Sequence, residues 1–239
     1  MKKIGLLFIL IITFSQGYAQ TSIFNDLLQK HVSDDGIVDY KNFNGQKLRK
    51  FTMYLENTSP NKNWSRAKQK AFWINAYNAY TIHLILHAQY AKKIKTSIMD
   101  LNQKGKNAWK IPFAKIGGKT YTLDYIEHQI LRKQLFDARI HVGVNCASIS
   151  CPKLHNKAFT EANVNSELEK LMKSFMNDNV RNKFKNSNLI YISEIFNWFK
   201  DDFTKKGTII DYINKYSDKK INANATINFL PYDWNLNGK

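Results

Sequence analysis

The sequence predicts an α+β fold: a helix-rich single domain with a buried central helix, at about residues 65–90, packed on a small, mainly antiparallel sheet. From Ser65 the segment SRAKQKAFWINAYNAYTIHLILHAQ has helical period and is apolar on nearly every face after Ala71, the mark of a buried helix. Short β-branched runs flank turn dipeptides such as Gly117-Gly118, as hairpins require. Helices and strands do not alternate as regular βαβ units, which argues against a doubly wound parallel sheet.

The chain opens with Lys2 and Lys3, an apolar run from Ile4 to Phe14, and the small-residue ending Gly17-Tyr18-Ala19. This is the pattern of a cleavable signal peptide over residues 1–19, with a mature domain over 20–239 in the periplasm or outside the cell. The apolar run is too short to span a bilayer, which takes about 20 residues. The next most apolar stretch, Ala71 to Leu86, is interrupted by Asn75, Asn78 and His83, costly groups in lipid, so the processed protein is not expected to be transmembrane. The whole chain carries a formal charge of +17, and loss of Lys2 and Lys3 leaves +15. That balance favours anionic partners such as acidic envelope polymers, so a polyanion is one expected partner and a peptide another. No aromatic-basic nucleic-acid motif is present, and the basic residues are scattered among Asn and Ile.

The elements follow in order. Ser22 to Val32 reads as a short amphipathic helix, Asp34-Asp35-Gly36 as a turn, and Ile37 to Tyr40 as extended. A second helix covers Gln46 to Glu56 and ends before Ser59-Pro60, and Ser65 caps the third, central helix. In that helix Asn75 and Asn78 sit among apolar side chains, so they either pin a neighbouring backbone or face a polar cavity. Trp109 to Thr122 reads as a hairpin, and Leu123 to Lys133 as a helix capped by Thr122 with Asp124, His128 and Arg132 on one face and Glu127 beside them. Arg139 to Cys146 alternates like a strand, placing His141, Gly143 and Asn145 on one face and Cys146 on the other; Gly143 then leaves space beside His141. The loop Ala147 to Pro152 follows, then a helix from about Glu161 to Asn177, a strand Leu189 to Ile192, short helices around Phe196 to Phe203 and Ile209 to Tyr216, and an extended end from Ile227 to Trp234.

Several of these segments together resemble the family called domain of unknown function 547. They are Asp35-Gly36 to Tyr40, Phe72-Trp73-Ile74-Asn75-Ala76-Tyr77-Asn78, Ile126-Glu127-His128 through Arg132, Arg139-Ile140-His141, Asn145-Cys146 with Ser150-Cys151-Pro152, and Phe229-Leu230-Pro231-Tyr232-Asp233-Trp234. The resemblance implies a domain boundary and a set of motif residues, with no substrate or reaction attached. At Ala147 the sequence departs from the family pattern, where members often have Gly, so the resemblance carries no special backbone angle to that position.

Cys146 and Cys151 are the only cysteines, with four residues between them, in a chain bound for an oxidising compartment. A structural disulfide is the ordinary expectation for such a pair, and it would suit a non-catalytic binding domain. The sharper expectation makes Cys151 or Cys146 a nucleophile, with His141 or His128 as base and Glu127, Asn75 or Asn78 orienting that base. Loop N–H groups from Ala147 to Cys151 would then hold the oxyanion of an amide or ester substrate from the envelope or the extracellular space. This is the logic of papain-like and transglutaminase-like hydrolases and acyl transferases, loosely compatible with the expected fold. No cofactor is implied. A third expectation is a zinc-dependent hydrolase with His128, His141, Cys146 and Cys151 as ligands, although their spacing matches no finger or ribbon. The histidines His31, His83, His87 and His155 read as surface or core residues, Glu127 and Arg132 as a helix-surface or buried ion pair, and Asp201 and Asp202 as a solvated helix face.

Overall fold

The computed structural model describes residues 20–238, and the expected signal peptide at residues 1–19 lies outside the described residues. Helix α1 occupies residues 20–31 and α2 Gly45–Asn57, where the Asn44 side chain caps the first turn by accepting from the Lys47 N–H. Helix α3, Arg66–Tyr90, starts where Ser65 accepts from the Lys68 N–H and is buried almost continuously from Lys70 to Ile82. Its burial on every side explains the absence of a polar stripe. On one side it packs on α2, and on another it lies against a hairpin of β3, Ala114–Ile116, and β4, Lys119–Tyr121. Trp73 meets Tyr121 edge-on, and the Tyr80 hydroxyl donates to the Lys115 carbonyl. A still shorter hairpin, β1 (Asn102–Gln103) with β2 (Lys106–Asn107), precedes it.

The Gly117-Gly118 turn is tied to α2. Its two N–H groups donate to the Leu55 and Glu56 carbonyls, satisfying acceptors that the end of a helix leaves open. A Cβ on Gly117 would lie 2.8 Å from the Ser59 Cα, so that position needs glycine for contact as well as for its φ of +56°.

Thr122 caps the next helix as expected, but only Leu123–Tyr125 (α4) is α-helical. Ile126–Gln134 continues as a π-helix, a wider coil that recurs at functional sites and here carries Glu127, His128 and Arg132. After α5, Val164–Met176, a three-stranded sheet forms from β5 (Lys183–Asn186), β6 (Leu189–Ile192) and β7 (Thr226–Phe229). β5 runs antiparallel to β6, and β7 parallel to it. Helices α6 (Ile195–Trp198), α7 (Lys200–Phe203) and α8 (Ile209–Tyr216) complete the second half.

Two apolar clusters result. The larger surrounds α3; the smaller joins the sheet to α6–α8, and α5 borders both through Val164 and Leu168 on one side and Met172 and Met176 on the other. The mixture of helices with small sheets is the α+β class expected.

One element differs in kind. The segment read as a strand, Arg139 to Cys146, instead begins with a 3-10 helix, Ala138–Val142. Asp137 caps it by accepting from the Arg139 N–H, and its carboxylate also takes Lys70 Nζ at 2.6 Å and the Arg139 guanidinium. Residues 140–145 are buried without interruption, so their alternation of types reflects two packed surroundings rather than two faces of a sheet.

Candidate active site

The loop after that 3-10 helix is held by amides. Asn78 donates to the Gly143 carbonyl at 2.8 Å and accepts from the Asn145 N–H at 2.9 Å, while Asn75 does the same to both backbone groups of Phe159. Both side chains are therefore scaffold amides, each bonded to main chain through its oxygen and its nitrogen, and neither orients a base. Gly143 does not leave space beside His141; a Cβ there would lie 2.8 Å from the Leu168 side chain and 3.2 Å from that of Ile74. Asn145 extends the scaffold by donating to the Pro152 carbonyl and accepting from the Ala147 N–H.

Ala147 has φ of +60°, a left-handed backbone that L side chains adopt at a cost, immediately after Cys146. The angle thus exists without the glycine the family pattern would supply. Cys146 emerges half-buried before this turn, while Cys151 is covered at 4% exposed.

The structure carries both cysteines as free thiols rather than as the disulfide considered from the sequence. Instead Cys151 Sγ accepts from the Cys146 N–H at 3.1 Å and its S–H donates to Cys146 Sγ. Cys146 Sγ also lies 3.1 Å from Ser148 Oγ and 3.2 Å from the Tyr232 hydroxyl, and the Ser148 N–H points at it. The bond from Cys151, opposed by burial and reinforced by Ser148 and Tyr232, holds the Cys146 thiol below its ordinary pKa. Burial, together with the neighbouring sulfur, pushes Cys151 well above its own. Of the two, Cys146 has the surroundings of a nucleophile.

His141 is 3% exposed, stacked on Phe199 with ring centroids 4.1 Å apart, and its Nε2–H donates to Asp202 at 2.8 Å. Burial lowers its pKa and the carboxylate offsets this in part, so the ring is neutral near pH 7 and Nδ1 is the nitrogen left for proton transfer. Arg132 Nε donates to the same Asp202 oxygen at 2.6 Å. Against the cost of burial, these two donors hold Asp202 well below the usual carboxylate range.

Asp202 was expected on a solvated face and is buried; its neighbour Asp201 is exposed. The available signal was position: Asp202 follows Phe199 by three residues, the spacing that sets side chains next to each other on a helix.

Glu127 is buried beside Tyr77, whose hydroxyl donates to it, and burial raises its carboxyl pKa. It touches neither histidine ring by hydrogen bond and forms no ion pair with Arg132, which is engaged by Asp202 and donates to His128 Nδ1 at 2.9 Å. His128 Nδ1 is thus an acceptor, leaving Nε2 3.6 Å from Asp124.

Cys146, Cys151, His141, His128 and Glu127 line one cleft of about 240 Å³, with Tyr232 beside them. Tyr232, missed at the sequence level, lies in the extended terminal motif and meets Cys146 only through the tertiary fold.

Two further expectations are corrected. Four of the five loop N–H groups are not available to an oxyanion: Ala147 donates to Asn145, Ile149 to the Asn235 carbonyl, Ser150 to that of Asp233 and Cys151 to that of Ser148, which leaves the Ser148 N–H beside the Cys146 sulfur. The zinc site on His128, His141, Cys146 and Cys151 also fails. Among the described residues no three His, Cys, Asp or Glu side chains gather as metal ligands.

Residues 61–176 match the model of the family described as protein of unknown function, DUF547. No curated protein and no solved structure matches the chain.

Proposed function

We propose that this chain, which belongs to the DUF547 family, is a cysteine-dependent hydrolase or acyl transferase that acts after export on an amide or ester of an envelope or extracellular substrate. The observation that carries the reading is Cys146, accessible and ringed by hydrogen-bond donors, in the same cleft as the His141–Asp202 pair.

In this mechanism His141 Nδ1 takes the Cys146 thiol proton while Asp202 holds the ring at Nε2. The sulfur attacks the carbonyl carbon, forming a C–S bond. The Tyr232 hydroxyl, 3.2 Å from the sulfur, and the Ser148 N–H steady the oxyanion, in place of the other loop amides. The bond to the leaving amine or alcohol then breaks, and His141 returns the proton to it. Water or an acceptor amine, deprotonated by His141, cleaves the resulting thioester and restores the thiol.

Export rests on the sequence of residues 1–19. The rival reading, a binding domain with a Cys146–Cys151 disulfide, differs in thiol status. Intact mass of mature protein purified without reductant, before and after treatment with iodoacetamide, separates them. One adduct on the folded protein at neutral pH, on Cys146 and slowed in His141→Asn, is the expected result. Protein that takes no label even when denatured, until reductant is added, would sink the proposal.

A further inference from the structure

The same cleft has an unusual lining for so basic a protein. Its wall is aromatic: Trp198 stacks on Trp234 at 5.6 Å and meets Tyr232 at 4.7 Å, and Trp109 meets Trp234 at 5.7 Å. Trp198 is 45% exposed, a large indole open to solvent at the mouth. Its charged lining residues are Asp124 and Glu127, and no Lys or Arg is among the described residues that line it. The nearest guanidinium, that of Arg132, is occupied by Asp202 and His128 and lies against the Phe199 ring.

Glu127 is 8% exposed, faces the cleft, and has only the Tyr77 hydroxyl as a side-chain hydrogen-bond partner. Burial outweighs the attraction of His128 and Arg132, neither of which hydrogen-bonds to this carboxyl, and a ligand that brings an ammonium group into direct contact with it removes the remaining cost. Aromatic faces beside carboxylates are the general chemistry for holding an ammonium group. The net positive charge of the chain repels such a group at long range, so the preference has to arise within the cleft.

We infer that the cleft receives a protonated alkylamine, as on a lysine-type side chain, seated against the Trp109, Trp198 and Trp234 wall and paired with Glu127. This rests on the reading of the cleft as an active site and names its substrate class: an acyl compound bearing a primary amine near the bond that is cut. An anionic polymer would find no cationic side chain in the lining to grip it.

Three probes of one chain length, 1-aminopentane, 1-pentanol and pentanoate, lack an acyl bond that can be cleaved and so report binding alone. Titrated into the mature wild-type protein at pH 7.5 and followed by tryptophan fluorescence, the amine is expected to bind about tenfold or more tighter than either other probe. Nα-acetyl-lysine should share that advantage, and Glu127→Gln should remove it. Equal affinities, or tightest binding of pentanoate, would overturn the inference, and the wild-type ranking decides this even if the variant does not fold. An amine preference in a protein whose Cys146 resists alkylation would instead keep the ammonium site and reject the catalytic reading; a reactive Cys146 without the preference would do the reverse.

Discussion

At the residue scale, the chemistry depends on keeping one thiol reactive and its neighbour inert. Cys146 and Cys151 hydrogen-bond to each other, yet one is half-buried among donors and the other is covered. Cys151→Ser should therefore leave a site that still alkylates, at a changed rate because the S–H donor becomes an O–H, whereas Cys146→Ser should abolish labelling of the folded protein. Asp202→Asn is a sharper test of the proposed pair. It keeps the shape but loses the charge that fixes the His141 tautomer, and should lower the alkylation rate at pH 7 by about a hundredfold or more if His141 is the base. Tyr232→Phe removes a single donor beside the sulfur. Turnover of an active substrate should fall by about 10² if the hydroxyl steadies the oxyanion, with little change in KM. A loss confined to KM would assign Tyr232 to binding instead.

At the scale of elements, the loop and the 3-10 helix before it are fixed by groups remote in sequence. Ala147 stands at φ +60° with its N–H held by Asn145. Ala147→Gly relieves a left-handed alanine and should raise stability by about 1 kcal/mol in urea unfolding, less the extra freedom that glycine gives the unfolded chain. Destabilisation by the same amount would show that the Ala147 methyl, fully buried, is worth more in packing than the strain it causes. Asp137 is the counterpart. It caps the 3-10 helix and neutralises Lys70, whose side chain is 9% exposed, so Asp137→Ala should cost about 3–5 kcal/mol by leaving a buried ammonium unpaired. Much of this level was legible in the sequence. Ser65 and Thr122 cap their helices through neighbours three residues on, the Gly117-Gly118 turn joins two adjacent strands, and the helices and hairpin they announce are present. The 3-10 helix at Ala138–Val142 was not legible, because its cap also answers to Lys70 on α3 and its residues are buried on all sides. The candidate site divides in the same way. Cys146, His141, His128 and Glu127 stand in recognisable local motifs, whereas Asp202 and Tyr232 reach them across 61 and 86 residues of sequence.

For the whole molecule, the balance of buried ionisable groups sets how stability varies with pH. Against the cost of burial, Asp137 is held below the usual carboxylate range by Arg139 and Lys70 and Asp202 by the His141 N–H and Arg132, so each contributes stability that is present above the unfolded-state value near ~3.9 and is lost as pH falls toward the folded value. His141 is also lowered, by burial, so below pH ~6.5 the unfolded chain takes up its proton first and stability begins to decline there. Protonation of the carboxylates adds to the positive charge the folded chain already carries, in the same direction. Glu127 has the opposite sign. With its carboxyl raised by burial, it favours the folded state at low pH, and that contribution is lost as pH rises through the folded value. The melting temperature should therefore fall gently from pH 6.5 to 4 and steeply below it, and Glu127→Gln should melt higher than wild type at pH 8 but not at pH 4. Wild-type and variant curves that run parallel across that range would show that Glu127 is ionised at no net cost in the folded protein. A higher melting temperature at pH 8 would identify a carboxyl that destabilises the empty cleft, which is the energetic signature of a group held in readiness for a cationic ligand.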